Sequence, residues 1–317
     1  MGAFLIGADE NGLGSRLGPM IVTAVLAEAD EPGERFLSRK LPKKIREDLD
    51  DSKRLMSHTD VGIGEAWARA ITGNGARSPA ELFELLSLEG TGQLQVPCPK
   101  SAHAQCWTHE GEAFVASPEQ VLRAHKHLET FAARGVRILE VRSSVVCTQK
   151  LNENKRRGIN RFVSDLHAME SLILKLQKRA GAPVHAVCGK VGGIGEYGKF
   201  FGPLAGWLHA TIVEGQAESA YQFPTLGRIR FVRDADASAP LVMLASLVGK
   251  YVRELFMSRI AAHFPADGEP RPSGYHDPVT AAFVKRTALV RKKRRLPDNC
   301  FEREPAAEAE RAGAPAP

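Results

Sequence analysis

Long apolar runs are missing from this chain of 317 residues. None approaches the ~20 residues that a membrane-spanning helix needs, so we expect no membrane span. The first residues lack a charged lead into an apolar core, which argues against a secretory signal and for a cytoplasmic protein. Cysteine is scarce too, with five residues at irregular spacing. This odd number argues against a disulfide scaffold and for a reducing compartment.

A strong excess of one charge is also absent. The net charge of +6 fits a polyanionic partner, but it is small for this length and a weak indication by itself. Apolar and charged residues occur in the proportions of an ordinary globular protein, and no internal repeat is present. We therefore predict one domain over 1–302. The tail over 303–317 is rich in Ala, Pro and Glu and is predicted to be disordered.

The order of the predicted elements indicates an α/β protein, with a mixed sheet flanked by helices. Apolar and β-branched runs predict six strands, and helical periodicity with turn signals predicts the helices. The strands are expected over 3–6, 21–25, 135–141, 184–188, 207–213 and 228–233, and the helices over 66–71, 79–88, 118–133, 159–179, 240–260 and from 279 onward.

The stretch around Asp9 and Glu10 is the most informative part of the sequence. Two adjacent carboxylates follow a short apolar run, and a glycine-studded turn separates them from the next β-branched run. This pattern predicts strand, tight turn and strand. Neighbouring strand residues point to opposite faces, so both acids reach one metal only where the strand ends and twists. The alternative is a surface turn with two solvated acids.

Other strands are also predicted to end near chemically useful side chains. One is followed by Asp234 and Asp236, and another ends at Cys188. Because ligands collect at strand ends in open α/β sheets, converging carboxylates there would bind two hard divalent cations and support phosphodiester hydrolysis. A solvated turn or a helix cap before Pro240 is the alternative for the two aspartates.

Two further motifs have a functional and a structural interpretation. Ser52 and Lys53, next to Arg54, suit a phosphate oxygen, although a helix N-cap at Ser52 or Asp51 is favoured locally. Two Cys and two His within twelve residues would suit a tetrahedral zinc ion, but they lack the paired arms of a zinc finger. Buried thiols in a histidine-containing loop are the favoured alternative for this set, which comprises Cys98, His103, Cys106 and His109.

Taken together, the motifs resemble the type 2 ribonuclease H family, the ribonuclease HII family. The opening Gly-x-Asp-Glu-Ala-Gly-Arg-Gly-Pro element, followed by Gly-Pro, matches at Gly7, Asp9, Glu10, Gly12, Gly14, Gly18 and Pro19. Its Asp-Ser-Lys and Leu-Asn-Glu elements match Asp51 to Lys53 and Leu151 to Glu153. Asp236 stands ten residues before Ser246, as in the family, and Ser273, Gly274, Tyr275, Asp277 and Pro278 match its Ser-Gly-Tyr element. The likeness covers 3–56, about 136–191 and about 228–296, so 57–135 resembles a long insertion.

The resemblance implies a ribonuclease H-like fold and cleavage of the RNA strand in RNA–DNA hybrids, or of duplex DNA 5′ of an embedded ribonucleotide. It implies Mg²⁺ or Mn²⁺ as cofactor, with Asp9, Glu10 and Asp236 as catalytic metal ligands. Gly12 and Gly14 would contact the ribose 2′-OH through their backbone, and Ser52 and Lys53 would hold phosphates. Tyr275 would stack on the sugar beside the junction.

Two residues depart from the family pattern. The third metal-ligating Asp aligns with Cys188, and a thiol is a poor ligand for Mg²⁺. The arginine of the Gly-Arg-Gly turn is Leu13, for which Arg16 is a candidate replacement. Glu196, Asp234 and Glu214 are candidates for the missing acid. Three functions stay open: an active nuclease with a modified site, a degenerate binding protein, and a different metal-dependent nuclease whose substrate depends on 57–135.

Overall fold

A mixed seven-stranded sheet forms the centre of the computed structural model, which describes residues 2–73, 75–107, 111–265 and 268–305. The strands in chain order are β1 (Ala3–Asn11), β2 (Met20–Ala29), β3 (Val136–Val146), β4 (Val184–Gly189), β5 (Ala210–Glu214), β6 (Glu218–Phe223) and β7 (Gly227–Val232). Across the sheet they follow the order β3-β2-β1-β4-β7-β6-β5. β4 is parallel to both β1 and β7, and the other neighbouring pairs are antiparallel. The carboxyl ends of β1, β4 and β7 therefore meet at one edge.

Helices cover both faces of this sheet. Those of eight residues or more are α4 (Gly62–Thr72), α5 (Pro79–Leu86), α8 (Pro118–Ala133), α9 (Thr148–Arg156), α10 (Arg161–Ala180), α11 (Pro240–His263) and α12 (Pro278–Lys293). The shorter ones are α1 (Glu31–Leu37), α2 (Lys43–Arg46), α3 (Ser52–Leu55), α6 (Thr91–Gln95), α7 (Lys100–Cys106) and α13 (Asp298–Phe301). The predicted α/β class, a mixed sheet flanked by helices, is confirmed.

The alternation of side chains along β2 divides the interior into two layers. Ile21 and Val25 join the apolar cluster that includes α4, α8 and α11, whereas Val22 and Ala24 join the cluster beneath α10. Apolar side chains on both faces explain why β2 is continuously hydrophobic, since a strand covered on both sides has no solvated face. α11 is likewise covered on nearly all sides and is almost entirely buried.

The stretch resembling an insertion packs as part of the main core. α4 and α5 lie against β3, and α4 and α7 also contact α11. The side chain of Trp67 is fully buried, and its indole N–H donates to the Asp48 carbonyl oxygen at 2.6 Å. The apolar face of α4 belongs to the same cluster as α11. Residues 57–135 therefore stabilise the helical layer on the α11 side of the sheet.

Several predicted elements have the expected position and others are longer. The helix over 118–133 is confirmed, with a capping box in which the Ser117 hydroxyl accepts from the Gln120 N–H. β1 continues through Glu10, which the prediction placed at the turn, and β6 was not predicted. α12 is longer than the predicted short helix and buries Arg291. Among the described residues, no helix combines the length and apolarity needed to cross a bilayer.

Candidate active site at the carboxyl edge of the sheet

A cavity of about 440 Å³ opens at the edge where β1, β4 and β7 end. The structure brings the sequence-predicted catalytic and substrate residues together in its lining. These are Asp9, Glu10, Gly12, Gly14, Ser52, Lys53, Asp236 and Tyr275. They lie up to 266 positions apart along the chain, between Asp9 and Tyr275. Cys188 is not part of this lining.

Asp9 lies on the α11 side of β1 and is 5% exposed. Its carboxylate is hydrogen-bonded to the Ser246 side chain, which lies 3.0 Å from the Ser52 hydroxyl. The backbone around it is tightly packed. A Cβ at Gly189 would stand 2.5 Å from Asp9 Oδ1, and one at Gly7 would stand 2.3 Å from the Leu241 backbone. Two glycines thus make the room that Asp9 and the approach of α11 require.

The carboxylates at this edge oppose one another electrostatically. Burial, then Glu10 and Asp236, holds the pKa of Asp9 well above its usual range. Burial, then Asp165 and Asp236, raises the pKa of Glu10 to about 8. Like charges that share a poorly solvated site disfavour ionisation, and a bound cation relieves the repulsion. The cluster is therefore disposed to bind either protons or a metal ion.

Ser52 and Lys53 reach the cavity from α3, but the helix cap is a different residue. The Asp51 carboxylate accepts from the Lys53 N–H at 2.8 Å and caps the helix, as one of the alternatives predicted. Ser52 is buried, and its carbonyl oxygen accepts from Lys250 Nζ at 2.9 Å. Lys53 extends into solvent with its ammonium 3.5 Å from Asp236 Oδ2. An exposed ammonium beside the acids is free to turn toward a phosphate.

The glycine turn is packed against Arg253 and Tyr275. Gly12 has a φ of +90°, and a Cβ there would stand 2.7 Å from Arg253 Nε. Arg253 is 1% exposed, donates to the Ser15 hydroxyl at 3.0 Å, and lies 4.4 Å from the centre of the Tyr275 ring. By contrast, a Cβ at Gly14 would meet nothing within 4 Å, so this backbone is open to a ligand.

The segment over 298–305 packs against the same glycine turn. Residues 303–305 were predicted to belong to a disordered tail, and the structure corrects that part of the prediction. Arg303 is 3% exposed and donates to the carbonyl oxygens of Gly12 at 2.6 Å and Gly18 at 2.9 Å. The Arg303 N–H donates to the Arg16 carbonyl at 3.0 Å. Residues 303 and 304 are thus packed against the turn, while 306–317 lie outside the described residues. Arg16 pairs with Glu302 and is not in the cavity lining, so it does not replace the arginine missing at Leu13.

Cys188 lies next to the acids without reaching the cavity. It pairs in register with Ala8, is fully buried, and belongs to the apolar cluster beneath α10. Burial, then the nearby Asp165 and Asp9, raises the pKa of its thiol, so it stays neutral at physiological pH. A neutral buried thiol supplies no charge for Mg²⁺.

The acids proposed as replacements for the missing aspartate are engaged elsewhere and are not in the cavity lining. Glu196 pairs with Lys199, and Glu214 accepts from the Tyr221 hydroxyl. The Asp234 side chain is 83% exposed beside Arg233. None of these three contributes to the acid cluster as it stands.

Asp165 is the acid that the sequence interpretation missed. It lies on α10, is 2% exposed, and its Oδ1 has no hydrogen-bond partner. Burial, then Asp9, holds its pKa well above the usual range, and its own charge raises the pKa of Glu10. The available signal was its place beside Leu166 on the apolar face of α10, where an ionisable residue is unusual. Arg253 gave the same signal, since it is a charged residue in the largely apolar α11, whereas Arg303 gave none.

The donor chemistry of the edge suits a hard divalent cation, since Asp9, Glu10 and Asp236 are carboxylates lining one cavity. The raised pKa values of Asp9 and Glu10 show a repulsion that a bound cation would relieve. Over residues 2–305, leaving out 74, 108–110 and 266–267, no three His, Cys, Asp or Glu side chains are arranged to hold an ion. The residues thus fit the ion in chemistry and location, while their side chains remain apart.

Comparisons with known proteins find structures but no sequence relatives. No family model matches the chain, and no curated protein matches its sequence. Bst-RNase HIII in complex with Mn²⁺ is 13% identical, with a TM-score of 0.46 over 98% of this chain and 69% of that one. The RNase HII of the PCNA complex from Archaeoglobus fulgidus is 16% identical, with a TM-score of 0.40 over 97% and 99%. Aquifex aeolicus RNase H3 is 14% identical, with a TM-score of 0.42 over 94% and 70%. The mixed sheet with helices on both faces agrees with the predicted α/β class.

Proposed function

We propose that this protein is a divalent-metal-dependent endoribonuclease that cleaves the RNA strand of RNA–DNA hybrids, or duplex DNA at an embedded ribonucleotide. One observation carries the proposal: residues of four of the five motifs, all but the Leu-Asn-Glu element, line one cavity near the carboxyl ends of the parallel strands. Solvated turns and caps, the alternative for each motif alone, give no reason for this convergence. Carboxyl ends of parallel strands are the usual place for a ligand in such sheets.

Different residues of the cavity would contact the metal ion and the ribose of a bound nucleic-acid strand. Asp9, Glu10 and Asp236 would hold Mg²⁺ or Mn²⁺, which when bound supplies an activated water and stabilises the leaving oxygen. The open backbone at Gly14 would contact the ribose 2′-OH. A 2′-OH contact is what distinguishes RNA from DNA at a given position.

The cations and the ring at the rim would position the substrate. Lys53 has an exposed ammonium beside the acids, which suits a backbone phosphate. Tyr275 is 43% exposed, with Arg253 on one side of its ring, and would stack on the sugar next to the junction. The protein would thus read the phosphate, the sugar and the 2′-OH without contacting a base edge.

Cleavage of a duplex with a single ribonucleotide and of a continuous hybrid, in Mg²⁺ and in Mn²⁺, tests the proposal. Asp9→Asn and Asp236→Asn should each lose more than the ~10–100-fold typical of residues that only support metal ligands. Asp234→Asn is the matched control, because this exposed acid lies two residues from Asp236 and outside the cavity lining. Equal cleavage by wild type and Asp236→Asn would contradict the proposal.

A second function, hybrid binding without cleavage, is favoured by one specific observation. The position aligned with the third acid is Cys188, a neutral thiol buried in the core. Wild-type protein that shifts the hybrid without cutting it, together with cleavage gained by Cys188→Asp, would favour this function. Cys188→Ala controls for removal of the thiol alone.

A further inference from the structure

Four of the five cysteines line one small cavity remote from the sheet edge. Cys98 and Cys106 come from the stretch 57–135, Cys147 precedes α9, and Cys300 belongs to α13. All are free thiols, and the volume of the cavity is about 20 Å³. A volume of roughly 10–15 Å³ already accommodates one water-sized body. The cavity therefore has room for one small occupant among the sulfurs.

The four thiols are mutual neighbours. Burial raises the pKa of Cys106 to about 12, and each of the other three thiols adds to the rise. Cys98 likewise acts on Cys147, and both act on Cys300, whose pKa is raised to about 12. The geometric observation is the shared cavity, whose lining includes all four of these cysteines. Cys188, the remaining cysteine, belongs to a different part of the core.

Three of the four sulfurs make only long polar contacts, whereas the Cys300 thiol donates to Gln149 Oε1 at 3.1 Å. The Cys147 sulfur caps α9 by accepting from the Lys150 N–H at 3.4 Å, and the Cys106 sulfur accepts from Gln105 Nε2 at 3.5 Å. The Cys98 thiol donates to the Leu94 carbonyl at 3.7 Å. Apolar walls, including Trp107 and Phe256, surround the cavity. Sulfur is a weak hydrogen-bond partner, so a strong ligand would displace these contacts at little cost.

The predicted zinc set within the insertion is not assembled as a set of two Cys and two His. His103 is not in the lining, and its ring nitrogen lies 3.3 Å from the Cys98 carbonyl oxygen, while His109 lies outside the described residues. Instead, Cys147 and Cys300 line the same cavity as Cys98 and Cys106. The tertiary structure thus places two cysteines from distant segments, and not the two histidines, at this cavity.

We propose that Cys98, Cys106, Cys147 and Cys300 form a binding site for one thiophilic cation of the Zn²⁺ type. Four cysteine sulfurs are a common donor set for tetrahedral structural zinc. Within the described residues no three His, Cys, Asp or Glu side chains are arranged to hold an ion, so these sulfurs have to move closer together to bind one. Binding would release the thiol protons to solvent and draw the sulfurs inward. The ion would tie the stretch 57–135 to α9 and α13, independently of the proposed nuclease activity.

The experiment measures metal content and a sulfur-specific spectrum on the full chain. Purified under reducing conditions, exposed to Zn²⁺ and desalted, the wild type should hold about one zinc per chain in this site. Substitution by Co²⁺ should give the thiolate-to-cobalt charge-transfer absorption, which carboxylates do not produce. Cys106→Ser and Cys300→Ser should weaken binding at least ~10–100-fold and lose this absorption. Cys188→Ala and Asp9→Asn are the matched controls and should keep it.

Three results would overturn the proposal. One is a wild-type protein without zinc and without cobalt–thiolate absorption, which needs no variant to fold. Another is absorption lost in Cys188→Ala but kept in Cys300→Ser. The third is mass spectrometry under non-reducing conditions that finds two hydrogens missing per pair of these cysteines, because that mass marks a disulfide. Stabilisation of the wild type by Zn²⁺ against EDTA in thermal melting, absent in Cys106→Ser, would support the site further.

Discussion

The carboxylate cavity at the sheet edge and the thiol cavity beneath α7 and α13 gather their ligand atoms in opposite ways. Asp9, Glu10 and Asp236 line a polar cavity of about 440 Å³, whereas the four cysteines line a mostly apolar cavity of only about 20 Å³. Burial raises the pKa of groups in both places, but only the carboxylates face ionisation near neutral pH. Hard, charged ligands are costly to desolvate and remain near water, while neutral thiols pack like small apolar groups.

The segment over 298–305 joins the two cavities. Cys300 lines the thiol cavity, and Arg303 holds the glycine turn of the carboxylate cavity three residues later. Arg303 has backbone carbonyls as its hydrogen-bond acceptors, and burial holds its pKa well below the usual range. A turn that needs a buried guanidinium for its carbonyl oxygens depends on this segment for its shape.

Removing that guanidinium should have the largest effect on folding. Arg303→Met removes the charged donor from the buried carbonyl oxygens of Gly12 and Gly18, which keep only the longer bonds from the Ser15 N–H at 3.2 Å and the Thr148 hydroxyl at 3.3 Å. We expect the free energy of unfolding to fall by about 2–4 kcal/mol. Denaturant unfolding measures the loss, and anisotropy with a labelled hybrid should show weaker binding. Arg157→Met is the control, because this side chain is exposed. Unchanged hybrid affinity in a folded Arg303→Met protein would show that the turn keeps its shape without the arginine.

Adding one methyl group at the sheet edge tests whether cleavage depends on the position of the Asp9 carboxylate. Gly189→Ala places a Cβ 2.5 Å from Asp9 Oδ1, so the carboxylate or the strand must move. Overpacking of this kind costs about 1–3 kcal/mol, and we expect a loss of cleavage of similar size, roughly 10–100-fold. Gly192→Ala should have no effect, since its Cβ would meet nothing within 4 Å. Equal rates for the two variants would mean that the position of Asp9 is not critical.

The pH dependence of stability should distinguish the carboxylate cavity from the thiol cavity. The pKa of Glu10 is raised from 4.5 to about 8 in the fold, so the folded state binds more protons than the unfolded state between these values. Stability contributed by protonated Glu10 is full below pH 4.5 and is lost as the pH rises toward about 8.

The same repulsion predicts that a catalytic substitution stabilises the metal-free protein. Asp9→Asn removes one of the opposing charges, and we expect a gain of about 1–2 kcal/mol at pH 8 together with a flatter pH dependence. Thermal melting in EDTA from pH 5 to 8 measures both, with Asp234→Asn as the exposed control. A destabilised Asp9→Asn protein with unchanged pH dependence would contradict the electrostatic account.

The smallest effect is expected at the rim of the carboxylate cavity. Lys53→Met should reduce hybrid affinity modestly and lower the slope of log K against log salt by about 0.7–0.9, the contribution of one phosphate contact. Lys40→Met is the control, because Lys40 is exposed and absent from the cavity lining. An unchanged slope in Lys53→Met would remove Lys53 from the phosphate contacts.

Much of the carboxylate cavity could be predicted because its residues follow strand and turn signals. Asp9 and Glu10 end an apolar run, and Tyr275 follows a Ser-Gly turn, so local pattern and family resemblance point to them. The α/β class follows from the same alternation of strands and helices. The β6 strand was missed, and the extent of β1 and α12 was underestimated, because tertiary pairing and packing extend elements beyond their local signal.

The sequence by itself determined the class of the fold, the acids at the first strand and the order of the motifs, since these depend on periodicity and turn chemistry. The tertiary structure alone decided which side chains meet. It buried Cys188 in the core, brought Asp165 of α10 toward Glu10, placed Arg303 behind the glycine turn, and gathered thiols from three separate segments. Such meetings depend on how helices pack on a sheet, and local sequence carries no record of contacts between segments more than a hundred residues apart.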